Sequence, residues 1–377
     1  MKNAIPVLIL CFFSAVSCAK KEASYIIETI DGIKVVRNLP GKADSVSTPI
    51  SFVEDLVLGG EGSGGVDLFY APVDIDADTA GRVYVLDGKD MTVKQFDRNG
   101  DFLRAMGKAG QGPGEFEHAT NLEIPPDGRI LVADPYRLRY SFFSAEGAFL
   151  SSSTMDGYVE GLSSGKNGRC VAGYQDGGRS EYLVGDVDLG TGRFSPVFRR
   201  PAFWPARVSN DRFRYDLPHF VRWAVDSRGR LIVGAAVDFE FSVFDAAGVL
   251  AFKFKKDRVR VPVEGEMRAK VEEMTALRSP FQKAPNPYLK DLVFPAFESL
   301  AVDEKDRIWV ESYQPKWHDR INPETSYDVF SPDGVFLFSA SLPGHITSKL
   351  LFKNGSLYVL KKDSSGFPLA VRFKIRE

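Results

Sequence analysis

The sequence predicts an all-β fold, a closed ring of six four-stranded antiparallel sheets. Three observations predict it. A strand–turn–strand unit with a D-x-x-G-type turn recurs along the chain. The interval from Gly81 to Gly128 equals that from Gly100 to Gly147, so two successive copies match at both of their turns. The last copy is one strand short, and an orphan strand near the N-terminus has the pattern of the missing one. Composition agrees: 377 residues, 44% of them hydrophobic, with 34 Gly and 29 Phe, suit short aromatic strands punctuated by glycine turns over a large core.

The first residues read as targeting sequence. Lys2 is a positive n-region, and Ile5 to Val16 is apolar but too short to span a bilayer. Ala15-Val16-Ser17-Cys18 resembles a bacterial lipobox, which implies a signal peptide over 1–17 and acylation of Cys18; an ordinary cleaved signal peptide is the alternative. Residues 18–48 are polar and are expected to be a tether, with a short strand at Ile33–Arg37. The propeller domain is expected over 49–377. Of three cysteines, Cys11 leaves with the signal, Cys18 takes lipid and Cys170 remains in a strand, so no disulfide framework follows. No later stretch has the length of a transmembrane helix. Lys plus Arg number 48 against 50 acids, a balance that argues against a nucleic-acid partner.

The units follow in order. VDIDADTAGRVYVLD with VKQFDRNGDFL is the first, and NLEIPPDGRILVAD with YSFFSAEGAFL the second. The third is marked by Gly168-Arg169 and Gly190-Thr191-Gly192. WAVDSRGRLIVGA with FSVFDAAGVL is the fourth; LAVDEKDRIWVES with YDVFSPDGVFLF, carrying Asp306 for glycine, the fifth; KLLFKNGSLYVLK with AVRFKIRE the sixth. Phe52 to Leu58 supplies the strand the sixth lacks. Closing a ring this way removes open sheet edges, whereas a solenoid would need caps. Six four-stranded blades make a six-bladed β-propeller.

Gly107-Lys108-Ala109-Gly110-Gln111-Gly112-Pro113-Gly114-Glu115-Phe116, followed by a strand and D-x-x-G-R-[IV]-x-V-x-D, resembles the NHL-repeat six-bladed propellers. With the lipobox, the chain is similar to propeller lipoproteins of bacteria with an outer membrane. The resemblance implies a cell-envelope location, lipid-anchored on the periplasmic or surface side of the outer membrane. It implies no particular activity, since propellers host many.

Turns between the first and second and the third and fourth strands of each unit share one face and are short. Long segments fall on the other face. Phe198 to Leu217 carries Trp204, Arg207 and Arg214; about 255–295 holds a helical insertion, with Val263 to Leu277 placing Met267, Val271 and Met274 on one side; Glu311 to Thr325 carries Trp317 and His318. Long loops on one face of a rigid scaffold favour binding there. Covering apolar rim is the alternative for the helix.

Three of the four histidines share one column: His118, His219 and His345 stand at the same offset before Gly128, Gly229 and Gly355. They lie on alternate blades, so their imidazoles converge on the channel, an arrangement that suits one divalent transition metal such as Zn with an open position. Pro218-His219-Phe220-Val221-Arg222-Trp223-Ala224-Val225-Asp226 resembles the P-H-x-φ-x-φ-D pattern (φ apolar) of the peptidylglycine amidating-lyase propellers, which hold zinc through three blade histidines. Here the strand is two residues longer, and Glu117 and Gly344 replace the proline before His118 and His345. Asn121, Glu123, Arg222, Asp74 and Asp76 alternate with apolar residues on inner strands and are expected on the channel wall. Glu123 is a candidate general base, Arg222 a grip for carboxylate or phosphate, Tyr158 a proton donor in the histidine column, and Asp74 with Asp76 a weak cation site. No Gly-rich phosphate loop, G-x-S-x-G elbow or Cys–His pair occurs.

Two functions follow. One is binding of a small molecule, peptide or envelope protein at the loop-bearing channel face, with membrane contact through the lipid anchor only. The other is a metal-dependent lyase or hydrolase at the three histidines.

Overall fold

The computed structural model describes residues 24–40, 49–60, 68–165, 167–176, 181–201, 207–209, 214–216, 221–278, 292–313, 324–344 and 346–377. Six four-stranded antiparallel blades are present, as expected. Their inner strands, from blade one to blade six, are Pro72–Ala77, Asn121–Glu123, Val159–Ser164, Val221–Val225, Phe297–Val302 and Leu351–Lys353. The outer strand of blade six is Ser51–Gly59, paired with Pro368–Arg376 from Arg376↔Ser51 to Leu369↔Gly59. The N-terminal strand thus closes the ring.

The repeat motif has a local physical cause. Asp78 Oδ1 accepts from the backbone N–H of Ala80 (2.9 Å) and Arg82 (3.0 Å), while its Oδ2 takes Arg82 Nε at 2.5 Å. Asp226 repeats this with Arg228 and Arg230, and Asp303 with Lys305 and Arg307. One carboxylate closes each turn and pairs with the arginine that leaves it, which fixes the D and R of D-x-x-G-R. Asp306 takes the left-handed position at φ 60°, a conformation that aspartate tolerates better than most residues. Its carboxylate accepts from Ser227 N (2.8 Å) and Oγ (2.7 Å), which ties blade five to blade four.

Packing between blades forms the core. Tyr84, Leu86 and Val93 of blade one meet Leu122, Ile130 and Val132 of blade two. Trp309 of blade five lies 5.1 Å from Phe352 and 5.9 Å from Phe52, both of blade six. Each fully buried side chain of this size contributes roughly 1.5–3 kcal/mol. Gly107 (φ 79°) lies against the Phe116 ring, where a Cβ would collide, so the Gly-rich link after blade one needs glycine there.

Three parts differ from expectation. Residues 25–38 form two strands, Tyr25–Ile30 and Ile33–Asn38, where a tether with one short strand was expected. Ile33–Asn38 runs parallel to Leu250–Lys256, so blade four becomes a six-stranded sheet with Tyr25–Ile30 outermost. The link into blade four contains a two-stranded ribbon, Arg207–Ser209 with Arg214–Asp216. The helix is Gly265–Arg278, starting two residues later and ending one residue later than expected; Met267 and Val271 in it, and Val263 just before it, are buried. Among the described residues no helix is long and apolar enough to cross a membrane.

Candidate functional site

All six inner strands line a central cavity of about 1670 Å³. It runs from Tyr136 and Tyr158 on the loop-bearing face to Asp226 and Asp303 at the short turns. Its wall is mixed: Asp74, Glu123, Arg222, Glu298 and Lys349 border it together with apolar Trp223, Leu300 and Ile346.

Between blades six, one and two the wall is an ion-pair network. Lys349 Nζ donates to Glu123 Oε1 (2.6 Å) and Asp74 Oδ2 (3.4 Å); Lys353 Nζ donates to Asp76 Oδ1 (2.6 Å) and the Ile124 carbonyl (3.2 Å). The same carboxylates take backbone N–H groups from the next blade. Asp74 Oδ2 accepts from Leu122 N (2.8 Å), Asp76 Oδ2 from Ile124 N (2.6 Å), and Glu123 Oε2 from Ser164 Oγ (2.6 Å) and N (3.2 Å). Burial pushes the Asp74 carboxyl up to about 6; nearby Glu123 adds to the rise and Lys349 opposes it. Burial likewise raises Asp76 against the pull of Lys353. Burial also disfavours the Lys349 ammonium, but Asp74, Glu123 and Asp76 outweigh it and hold its pKa above the ordinary lysine value.

The mouth over blades two and three is aromatic. The His118 and Tyr136 ring centroids lie 4.4 Å apart, and Tyr158 meets Tyr136 edge-on at 5.8 Å. Tyr136 is 65% and Tyr158 41% exposed. Burial of part of the ring, with Tyr136 and Glu160 nearby, raises the Tyr158 hydroxyl and keeps it protonated. Buried Asp134 positions this corner: its Oδ2 accepts from Glu117 N (2.7 Å) and His118 N (3.3 Å), its Oδ1 from Arg137 N (3.3 Å). Asp87 does the same in blade one for Tyr70, Ala71 and Lys89. In blades one and two the final D of the repeat motif thus clamps the loop that enters the inner strand. Neither that clamp nor Lys349 and Lys353 was picked out from the sequence, although the two lysines share one strand parity.

The remaining expected residues fall as follows. Glu123, Asp74 and Asp76 come together as buried links between blades, with Asp74 and Glu123 bordering the channel as expected. The cations held by Asp74 and Asp76 are lysine side chains. Arg222 donates Nε to the Glu298 carbonyl (2.9 Å) and Nη1 to its neighbour Val221 (3.3 Å), so backbone takes those two donors. Trp223 and Val225, expected between blades, also border the cavity. Across the channel Glu298 and Glu311 border it, with Glu311 Oε2 taking Ser299 Oγ at 2.6 Å. Cys170 is buried, and burial pushes its thiol pKa up. His219, His345, Trp204, Trp317, His318 and Cys18 lie outside the described residues, as do the side chains of Arg207 and Arg214. The histidine column therefore has one placed member, His118. Among the described residues no three His, Cys, Asp or Glu side chains are grouped to hold a metal.

A family model described as a 6-bladed beta-propeller, DUF5128, matches residues 74–167, which span blades one and two and the inner strand of blade three. No curated protein matches the sequence. Among solved structures the chain is similar to a candidate exported protein from Bacteroides fragilis, with TM-score 0.53 and 12% identity over 91% of this chain and 100% of the other. It is also similar to a DUF4221-family member from Bacteroides vulgatus, with TM-score 0.50 and 12% identity over 87% of this chain and 99% of the other. At such identity the likeness shows the six-bladed fold alone.

Proposed function

We propose that this protein is anchored by lipid at Cys18 in the cell envelope and binds an organic ligand, a small molecule or short peptide, in the channel mouth. The observation that carries the reading is the exposed aromatic corner of Tyr136, Tyr158 and His118, held by buried Asp134 at the entrance of a large cavity of mixed polar and apolar lining. Large aromatic faces left open beside a concave site of mixed lining suit ligands with flat or apolar parts. The Tyr158 hydroxyl at the rim supplies a hydrogen-bonding group for such a ligand. The lipobox-like segment supports the location, and the similar Bacteroides fragilis structure described as exported accords with it.

Thermal-shift screening of short peptides, amino sugars and aromatic acids tests the binding reading. A compound that raises the melting temperature of the wild type, and does so less in Tyr136→Ala and Tyr158→Ala, supports it. Failure of every compound, or equal shifts in the variants, overturns it. Elemental analysis of the same protein separates the metal-centre alternative. One equivalent of zinc, lost in the His118→Ala, His219→Ala, His345→Ala triple variant, would replace this reading with a three-histidine site.

A further inference from the structure

The N-terminal hairpin is added to the propeller and has two unlike strands. Ile33–Asn38 is locked in. Val35 and Val36 are buried, Arg37 pairs with Asp257 at 2.8 Å, and Asn38 donates to the carbonyls of Lys255 (3.1 Å) and Gly334 (2.9 Å) and accepts from Phe336 N (2.7 Å). Tyr25–Ile30 hangs outside it. Within these six residues Tyr25 and Ile26 are each 37% exposed, Ile27 59% and Ile30 46%, and they occupy both faces of the strand. Edge strands are normally protected by charge, proline or a bulge. Here Glu28 is the one charged side chain of the strand, and it faces Arg37 at 3.8 Å.

We propose that Tyr25–Ile30 lies edge-first in the headgroup region of a lipid bilayer and sets the orientation of the propeller on the membrane. The proposal rests on the lipid-anchor reading of Cys18 and adds a second membrane contact to it. Cys18 precedes Tyr25 by seven residues, which reach at most about 25 Å when fully extended. The strand is therefore held near any bilayer that holds the acyl chains. Lys20 and Lys21 lie in that interval and favour anionic headgroups. Tyrosine suits the interface, with an apolar ring and a polar tip. Open backbone groups are tolerated at headgroup depth, where water and lipid oxygens meet them, but not in the hydrocarbon core. A second protein strand fits the surface less well. It would satisfy the backbone edge and leave Ile26, Ile27 and Ile30 exposed on the two faces.

The test uses the full lipidated chain in vesicles of phosphatidylethanolamine and phosphatidylglycerol. A bimane probe is placed by Ile27→Cys or, as control, by Val249→Cys, an exposed turn position on the same blade. Buried Cys170 does not compete for label. Lipids carrying a shallow quencher should quench the probe at position 27 at least about twofold more than at 249. Equal quenching at the two positions, with circular dichroism unchanged, overturns the proposal. So does protection of position 27 without vesicles together with a dimer in sedimentation, which would assign the strand to a second copy of the chain. Mass measurement of the mature chain separates the two readings. An unacylated chain that still floats with vesicles and shows the contrast sinks the anchor and keeps the strand contact. An acylated chain without the contrast does the reverse.

Discussion

Two regions of one channel are built in opposite ways. Between blades six, one and two, lysines and carboxylates saturate one another and the backbone of neighbouring blades, and the wall is a clamp. At the mouth over blades two and three, rings are held from behind by Asp134 and left open in front. The difference teaches that a polar channel residue is not by that fact a binding residue. What matters is whether its hydrogen-bonding groups are already committed.

Substitutions should separate the clamp from the mouth. Lys353→Ala has the largest expected effect, because it leaves the fully buried Asp76 carboxylate without its ammonium. The loss should fall toward the low end of the ~3–5 kcal/mol typical of a broken buried pair, since water reaches Lys353, and denaturant unfolding measures it. The pH dependence comes next. Asp74 titrates at about 6 in the fold and near 3.9 unfolded, so the folded state binds its proton more readily. The contribution of this group is complete below about pH 3.9 and is lost as pH rises through about 6, an effect of about 2–3 kcal/mol. Unfolding curves of wild type and Asp74→Asn between pH 4 and 7 should differ in slope with that sign; parallel curves would contradict the assignment. Glu123→Gln keeps the hydrogen bonds to Ser164 and weakens the Lys349 contact, and should cost about 1–2 kcal/mol by the same unfolding measurement. Tyr136→Ala should change stability by less than about 0.5 kcal/mol while abolishing ligand-dependent thermal shifts. A large stability loss there would make the mouth a second clamp and erase the contrast.

Much of the scaffold was legible because its causes are local. D-x-x-G-R encodes a turn whose carboxylate and arginine are four residues apart, and the orphan strand Phe52 to Leu58 announced closure by its likeness to a later strand. The clamp was not legible. Asp74 and Asp76 were noticed, but their lysines come from blade six at the far end of the chain, and nothing in the alternation of a three- to six-residue strand identifies a distant partner. Tyr136 was missed because it lies in a short 3-10 turn after the second strand, outside the repeat alignment that singled out His118 and Tyr158. The hairpin reads as tether in sequence because only Ile33–Arg37 has a strand pattern; the parallel pairing with blade four that stabilises it is a tertiary event.

The pairing of Ser51–Gly59 with Pro368–Arg376 also sets a schedule. The first blade-forming strand to be synthesised has its partner at Pro368–Arg376, so the ring stays open until that distant strand has been made. Contacts between such distant segments form slowly. Until Pro368–Arg376 is made the chain therefore remains threadable, and the arrival of that strand shuts the circle.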